Sequence, residues 1–132
     1  MIRSTLLITM NKTHISIAKN LEKLMSYRRL TQVELAKKTG VSQRTISNML
    51  NPGSVGSITT GSLEKVSEYF KIEPYHLLIE DLPIEVLISS TIEKVINYYA
   101  KSSEEGRENI NRIAEMAANY TKKNQQLTTE QT

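Results

Sequence analysis

Between residues 31 and 53 the chain is punctuated so closely that a helix there is limited to about two turns. That brevity constrains the fold more than any other feature. Thr31 and Glu34 form a Thr-x-x-Glu capping box, in which the hydroxyl and the carboxylate each satisfy an orphan backbone N–H, so a helix starts at Gln32. Leu35, Ala36, Lys38 and Thr39 carry it to Gly40, a residue suited to a left-handed helix terminus. Val41 leads to a second cap, Ser42, and Ile46, Met49 and Leu50 follow at i, i+3 and i+4. The short helix they define shows Gln43, Arg44, Ser47 and Asn48 on its other face. Asn51-Pro52-Gly53 stops it, and 54–60 reads as a loop.

Other helices flank this pair. Ile17, Leu21, Leu24 and Met25 line one side of a first helix running from Ile15 to near Arg28, with Lys19, Glu22 and Lys23 elsewhere. Leu63, Val66, Phe70 and Ile72 mark a fourth helix and its exit. Glu73-Pro74 starts a short fifth one, whose Tyr75, Leu77 and Leu78 are expected to close the core. From Pro83 the spacing predicts one longer helix with Ile84, Ile88, Ile92, Val95 or Ile96, and Tyr99 along a stripe. Ser102 and Glu105 read as a further capping box opening a last helix, where Ile110, Ile113, Ala117 and Tyr120 follow the a/d spacing of a helix-pairing seam. There is no internal repeat and no strand run, so the fold class is all-α. The expected organisation is an arm over 1–14, a helical domain over 15–80, a helical hairpin over 83–122, and a disordered tail over 123–132 rich in Gln and Thr. Residues 1–10 lack the basic start and the apolar length of a secretory signal, and Met1 and Met10 both remain open as the translational start.

A chain of 132 residues accommodates one domain and an extension. The absence of cysteine excludes disulfides and thiolate metal sites, and points to the cytoplasm. Apolar runs such as 6–8 and 77–79 fall far short of the roughly 20 residues that a spanning helix needs, so no membrane partner is expected. The net charge of +3 hides an asymmetry. Residues 1–60 carry 9 basic side chains against Glu22 and Glu34, a surplus of seven, whereas the remainder has 8 basic and 12 acidic ones. A basic front half suits a polyanionic partner, because phosphate neutralisation releases counterions. A solvated basic face is the alternative.

Gln32, Ala36, Gly40, Val41, Ile46 and Met49 together resemble the helix-turn-helix pattern of the lambda-repressor-like (Cro/repressor, XRE-type) family of transcriptional regulators. Leu63-x-x-Val66, Phe70-x-Ile72 and Pro74-Tyr75-x-Leu77-Leu78 are similar to that family's helices four and five, so the resemblance covers about residues 15–80. It implies a five-helix DNA-binding domain, here followed by a two-helix oligomerisation hairpin, with the third helix presenting its first side chains to base edges in the major groove. Gln43 and Arg44 hold those positions. Glutamine pairs bidentately with adenine and arginine with guanine, each worth about 1–3 kcal/mol of discrimination. Ser47 and Asn48 are the next candidates. The resemblance also assigns Gln32 a phosphate contact and a bracing role toward Gln43, and makes Thr31, Ser42, Thr45 and Asn51 phosphate-contact candidates. Two departures qualify it. The family's ionic pair between helices one and three is replaced by Met25 and Leu50, an exchange that is often neutral or stabilising. The loop after helix three lacks basic residues, which leaves backbone amides and Ser54 or Ser57 for its contacts.

The remaining chemistry-bearing residues point elsewhere. His14 and His76 stand apart from other metal-ligand types and read as surface or packing residues, so no metal and no cofactor is expected. Glu104, Glu105 and Glu108 suit a helix N-terminus better than acid–base work. Tyr98 and Tyr99 are candidates for base stacking, although their helical stripe favours core or interface. No nucleophile, phosphate loop or metal pair supports an enzyme. The hairpin's two apolar stripes suit a symmetric homodimer on a palindromic double-stranded operator, the alternative being that the hairpin folds back on helices one and five. The expected function is a phage- or prophage-type repressor without a self-cleaving serine–lysine domain. An antitoxin-type interaction protein, whose hairpin takes a protein partner and whose DNA binding is autoregulatory, is the alternative.

Overall fold

Two-turn helices are unstable in isolation and depend on tertiary burial. The computed structural model describes residues 11–54 and 56–130, with side chains as far as 120, so the expected arm over 1–10 lies outside the described residues. In order come α1 (Lys12–Arg28), α2 (Gln32–Thr39), α3 (Gln43–Leu50), α4 (Thr60–Phe70), a 3-10 helix (Pro74–Leu78), α5 (Ile84–Leu87), α6 (Thr91–Lys101) and α7 (Glu104–Glu130). No strand occurs among the described residues, in keeping with the all-α expectation. None of these helices is long and apolar enough to cross a membrane. The chain divides into two compact units, Met1–Ser90 and Thr91–Thr132.

In the first unit, α1 begins three residues before its expected start because Asn11 caps it, its side-chain oxygen accepting from the Thr13 amide at 2.9 Å. It ends in a Schellman turn. Arg29 adopts φ 54°, the Arg29 N–H reaches the Ser26 carbonyl at 3.2 Å, and the Leu30 N–H reaches that of Met25 at 2.9 Å. Helix α4 closes the same way around Lys71 at φ 57°, which delivers Ile72 into the core.

The stripe Ile17, Leu21, Leu24 and Met25 is buried throughout, together with Leu35, Ile46, Met49, Val66, Phe70, Leu77 and Leu87. Helix α1 packs on α3, on the 3-10 helix and on α5, while α2 packs on α3 and α4. Met25 belongs to the core and Leu50 is half-buried against it, so the positions of the family's ionic pair are dry here. Of the adjacent leucines in the 3-10 helix, Leu77 faces inward and Leu78 is 42% exposed, contrary to the expectation that both close the core. A single tight turn directs only one of two neighbours inward. The buried Asn20 side chain of α1 holds this turn, donating from Nδ2 to the carbonyls of His76 (3.3 Å), Leu77 (3.0 Å) and Ile79 (2.8 Å).

The long helix expected from Pro83 is instead broken in two. Helix α5 ends after one turn with Ile88 as its C-cap, Ser89 and Ser90 intervene, and α6 starts at Thr91. The inward residue is Leu87, fully buried, with Leu82 and Ile84 packed on the same core, whereas Ile88 is exposed. This segment therefore belongs to the first unit, and the second unit begins at Thr91.

In the second unit, Ser103 and not Ser102 caps α7. Its hydroxyl accepts from the Gly106 amide at 3.1 Å, while the Ser102 hydroxyl donates back to the Tyr98 carbonyl at 2.6 Å. The third helical position after this cap is Gly106, so no capping box forms with Glu105. Glu104 and Glu105 occupy the first turn, where acids complement the helix dipole. Arg107 closes the hairpin corner: Nε and Nη2 donate to the carbonyls of Tyr99 (3.0 Å) and Ala100 (2.8 Å), and its guanidinium lies 5.6 Å from the Tyr99 ring centre. Helix α7 continues to Glu130, into the stretch whose composition suggested disorder. No glycine or proline follows Gly106 to stop it, and lysine and glutamine are good helix formers.

Asn20→Ala leaves three carbonyls without their buried donor and is expected to cost about 1–3 kcal/mol. Urea unfolding should show a lower midpoint at unchanged slope; a midpoint equal to that of the native protein would remove Asn20 from the set of residues that hold the fold.

Candidate nucleic-acid interface

The helix-turn-helix is built by local hydrogen bonds at both ends of its turn. At the start of α2 the Thr31 hydroxyl accepts from the Glu34 amide at 3.2 Å, and Glu34 Oε1 accepts from the Thr31 amide (3.4 Å) and hydroxyl (2.9 Å). The reciprocal capping box is thus complete. At its end Gly40 sits at φ 75°, a region that side chains disfavour, and its N–H reaches the Ala36 carbonyl at 2.9 Å. Thr39 stitches the turn, its hydroxyl donating to the Leu35 carbonyl at 2.7 Å and accepting from the Val41 amide at 3.2 Å. Ser42 then starts α3, accepting from the Thr45 amide at 3.1 Å. Leu35, Ile46 and Met49 have no solvent exposure, so the angle between α2 and α3 is set by packed apolar groups.

Burial of one face of α3 determines what its other face presents. Gln43, Arg44 and Ser47 are exposed, Thr45 and Asn48 half-buried, and Gln32 is half-buried at the first position of α2. Gln43 and Arg44 thus stand together in the first turn of α3. The amides of Gln32 and Gln43 are not hydrogen-bonded to one another in the described residues. Several candidates serve the local fold. The hydroxyls of Ser42 and Thr45 lie 2.8 Å apart and bond to each other. Exposed Asn51 uses Oδ1 to accept from the Gly53 amide at 3.1 Å, and its backbone forms the turn that ends α3.

Asn48 is held more firmly than its helix position implies. Its carbonyl receives His14 Nε2 at 2.8 Å, the Asn51 amide at 3.3 Å and the Ser54 hydroxyl at 3.4 Å. Its carboxamide lies against the backbone of Gly56, where an added Cβ would stand 2.2 Å from Nδ2. Sequence reasoning missed His14 and Gly56 as parts of this site. His14 is 34 positions from Asn48, and no spacing rule links them.

The basic surplus also divides. Lys12 and Lys19 line a hollow with Glu80 and Asp81, and Lys19 and Lys23 line another with Glu22 and Asp81. Lys23 donates from Nζ to the Leu82 carbonyl at 2.9 Å. Arg28 stacks 5.2 Å from the Tyr69 ring centre and 5.3 Å from that of Phe70. Within the helix-turn-helix itself the cations are Lys37, Lys38 and Arg44, all exposed, while the one acid, Glu34, is engaged in the capping box. Among the described residues no three His, Asp or Glu side chains gather as a metal site.

Residues 20–79 match the family model of the Cro/C1-type HTH DNA-binding domain. Over these residues the chain is similar to that family. The match runs from within α1 to just past the 3-10 helix and takes in α2, α3 and α4 whole. No curated protein and no solved structure matches the chain. The match supports a DNA-binding transcriptional regulator with double-stranded DNA as its partner.

Ser42→Ala removes the cap of the Cro/C1-type domain's third helix and should cost about 1 kcal/mol of stability. Hydrogen exchange at the Thr45 amide, whose acceptor is lost, should accelerate; unchanged protection there would contradict the capping assignment.

Proposed function

We propose that the chain is a sequence-specific repressor of the phage or prophage type, which binds a palindromic operator through the major groove as a homodimer. The observation that carries the reading is the exposure of Gln43 and Arg44 in the first turn of α3, a helix anchored by the fully buried Ile46 and Met49. Such a helix projects its leading side chains from a rigid support, the geometry that direct base readout requires. Gln32, Thr31, Ser42, Thr45 and Asn51 are the proposed phosphate contacts, with Ser47 and Asn48 as the next candidates for base edges.

The dimer rests on the second unit. Helix α6 has no buried residue, and Val95, Ile96, Ile113, Met116 and Tyr120 are all exposed. With 27 residues α7 spans about 40 Å, against about 16 Å for the 11 residues of α6, so α6 covers less than half of its length. The a/d-spaced face of Ile110, Ile113, Ala117 and Tyr120 suits a second copy of the same helix. A two-fold pair would set two recognition helices about 34 Å apart, one duplex turn.

The test is titration of the whole protein, at several salt concentrations, against the duplex it enriches from a randomised pool and against a scrambled duplex. Affinity should fall steeply with salt. Gln43→Ala or Arg44→Ala should lose about 1–3 kcal/mol of preference for the enriched duplex, and equal binding of all duplexes by every variant would contradict the reading. For the dimer, Ile113→Glu should sediment as a folded monomer and bind the operator weakly. A native chain that is itself monomeric, and assembles instead with another small protein, would favour the antitoxin reading.

A further inference from the structure

We propose that His14 is a positioning residue for DNA recognition: by bonding the Asn48 carbonyl it holds the C-terminal end of α3 and so sets the tilt at which Gln43 and Arg44 meet the duplex. The inference rests on the reading that α3 enters the major groove.

The end of α3 lacks the usual means of closure. Its C-cap, Asn51, is extended and not left-handed, and its last turn contains no basic residue. The final carbonyls of a helix need donors from elsewhere. For Asn48 two come from the turn itself, Asn51 and Ser54, at 3.3 and 3.4 Å. The shortest contact, 2.8 Å, comes from His14 across 34 positions of sequence. His14 lies in the first turn of α1, the helix anchored by Ile17 and Leu21, so its ring ties α3 to the most deeply buried element of the unit. A carbonyl only accepts, so Nε2 carries the proton, and the bond exists in both the neutral Nε2–H tautomer and the imidazolium.

The side chain of the same residue is held from the other direction. The missing Cβ of Gly56 is the space that the Asn48 carboxamide occupies. Main chain and side chain of Asn48 are thus gripped by α1 and by the loop after α3. An eight-residue helix is about 12 Å long, so a shift of about 2 Å at this end tilts it by about 10°, enough to misplace side chains that must meet base edges within about 0.5 Å.

The experiment measures the ratio of affinities for the enriched and the scrambled duplex, using the full chain at one salt concentration. His14→Phe keeps a flat ring and removes the donor; His14→Gln restores an amide N–H near the place of Nε2. The expected result is a loss of about tenfold in the ratio for His14→Phe, recovered to within about twofold of the native protein by His14→Gln. Gly56→Ala, which displaces the Asn48 carboxamide and leaves His14 untouched, is expected to lower the ratio likewise. A ratio unchanged in His14→Phe or in Gly56→Ala, a loss shared equally by both duplexes, or no recovery with glutamine would overturn the proposal. A native protein that prefers no duplex would overturn the reading of α3 itself, and the positioning role with it; a native protein that discriminates beside a His14→Phe variant that discriminates equally would overturn the positioning role alone.

Discussion

The stripe Ile17, Leu21, Leu24 and Met25 on α1 is the surface against which α3, the 3-10 helix and α5 bury their own apolar residues. Helices of four to eight residues gain little from their own hydrogen bonds. Each is stable here because one inward residue or pair, Ile46 and Met49, Leu77, or Leu87, is removed from water on that stripe. Full burial of such a side chain is worth about 1.5–3 kcal/mol, which offsets part of the cost of ordering the helix around it, about 1–2 kcal/mol per residue. Asn20 adds direction to this non-directional attraction. Its three contacts, with the carbonyls of His76, Leu77 and Ile79, fix where the chain returns across α1.

The proposed recognition surface follows from that burial. Once Ile46 and Met49 face α1, helical periodicity leaves Arg44 and Ser47 outward, and Gln43 is exposed with them at the first position of the helix. Ser42, Thr45 and Asn51 act in the fold first, because their side chains close caps and turns at the ends of α3. Ser42 and Asn51 remain exposed while they do so, which is compatible with the proposed phosphate contacts. Charge is arranged with similar economy. Lysines on α1 stand beside Glu22, Glu80 and Asp81, and Arg28 covers aromatic rings, which leaves Lys37, Lys38 and Arg44 as the cations of the helix-turn-helix.

What was legible in the sequence was local. The bounds of α2 and α3 followed from Thr31, Glu34, Gly40 and Ser42, because capping is chemistry between residues two to four apart. Most of the core followed from periodicity. Periodicity also misled: Ile84, Ile88 and Ile92 continue one helical stripe, and nothing in that pattern reveals that Leu87 is the residue claimed by α1 or that Ser89 and Ser90 break the helix. Ser102 and Ser103 are equally good caps, and the choice between them was made by Arg107 closing on the end of α6. His14 and Gly56 at the recognition helix were illegible because their meaning depends on a tertiary approach that no spacing encodes.

The proposed function turns on Arg44, in the first turn of α3, reading a guanine edge in the major groove. The most direct measurement replaces each guanine of the enriched duplex in turn by 7-deazaguanine, which removes the N7 acceptor and leaves Watson–Crick pairing intact. Replacement of one guanine per half-site is expected to weaken binding of the native protein by about fivefold or more, and to have no effect on Arg44→Ala. Native binding indifferent to every replacement, or a sensitive guanine that remains equally sensitive in Arg44→Ala, would contradict it.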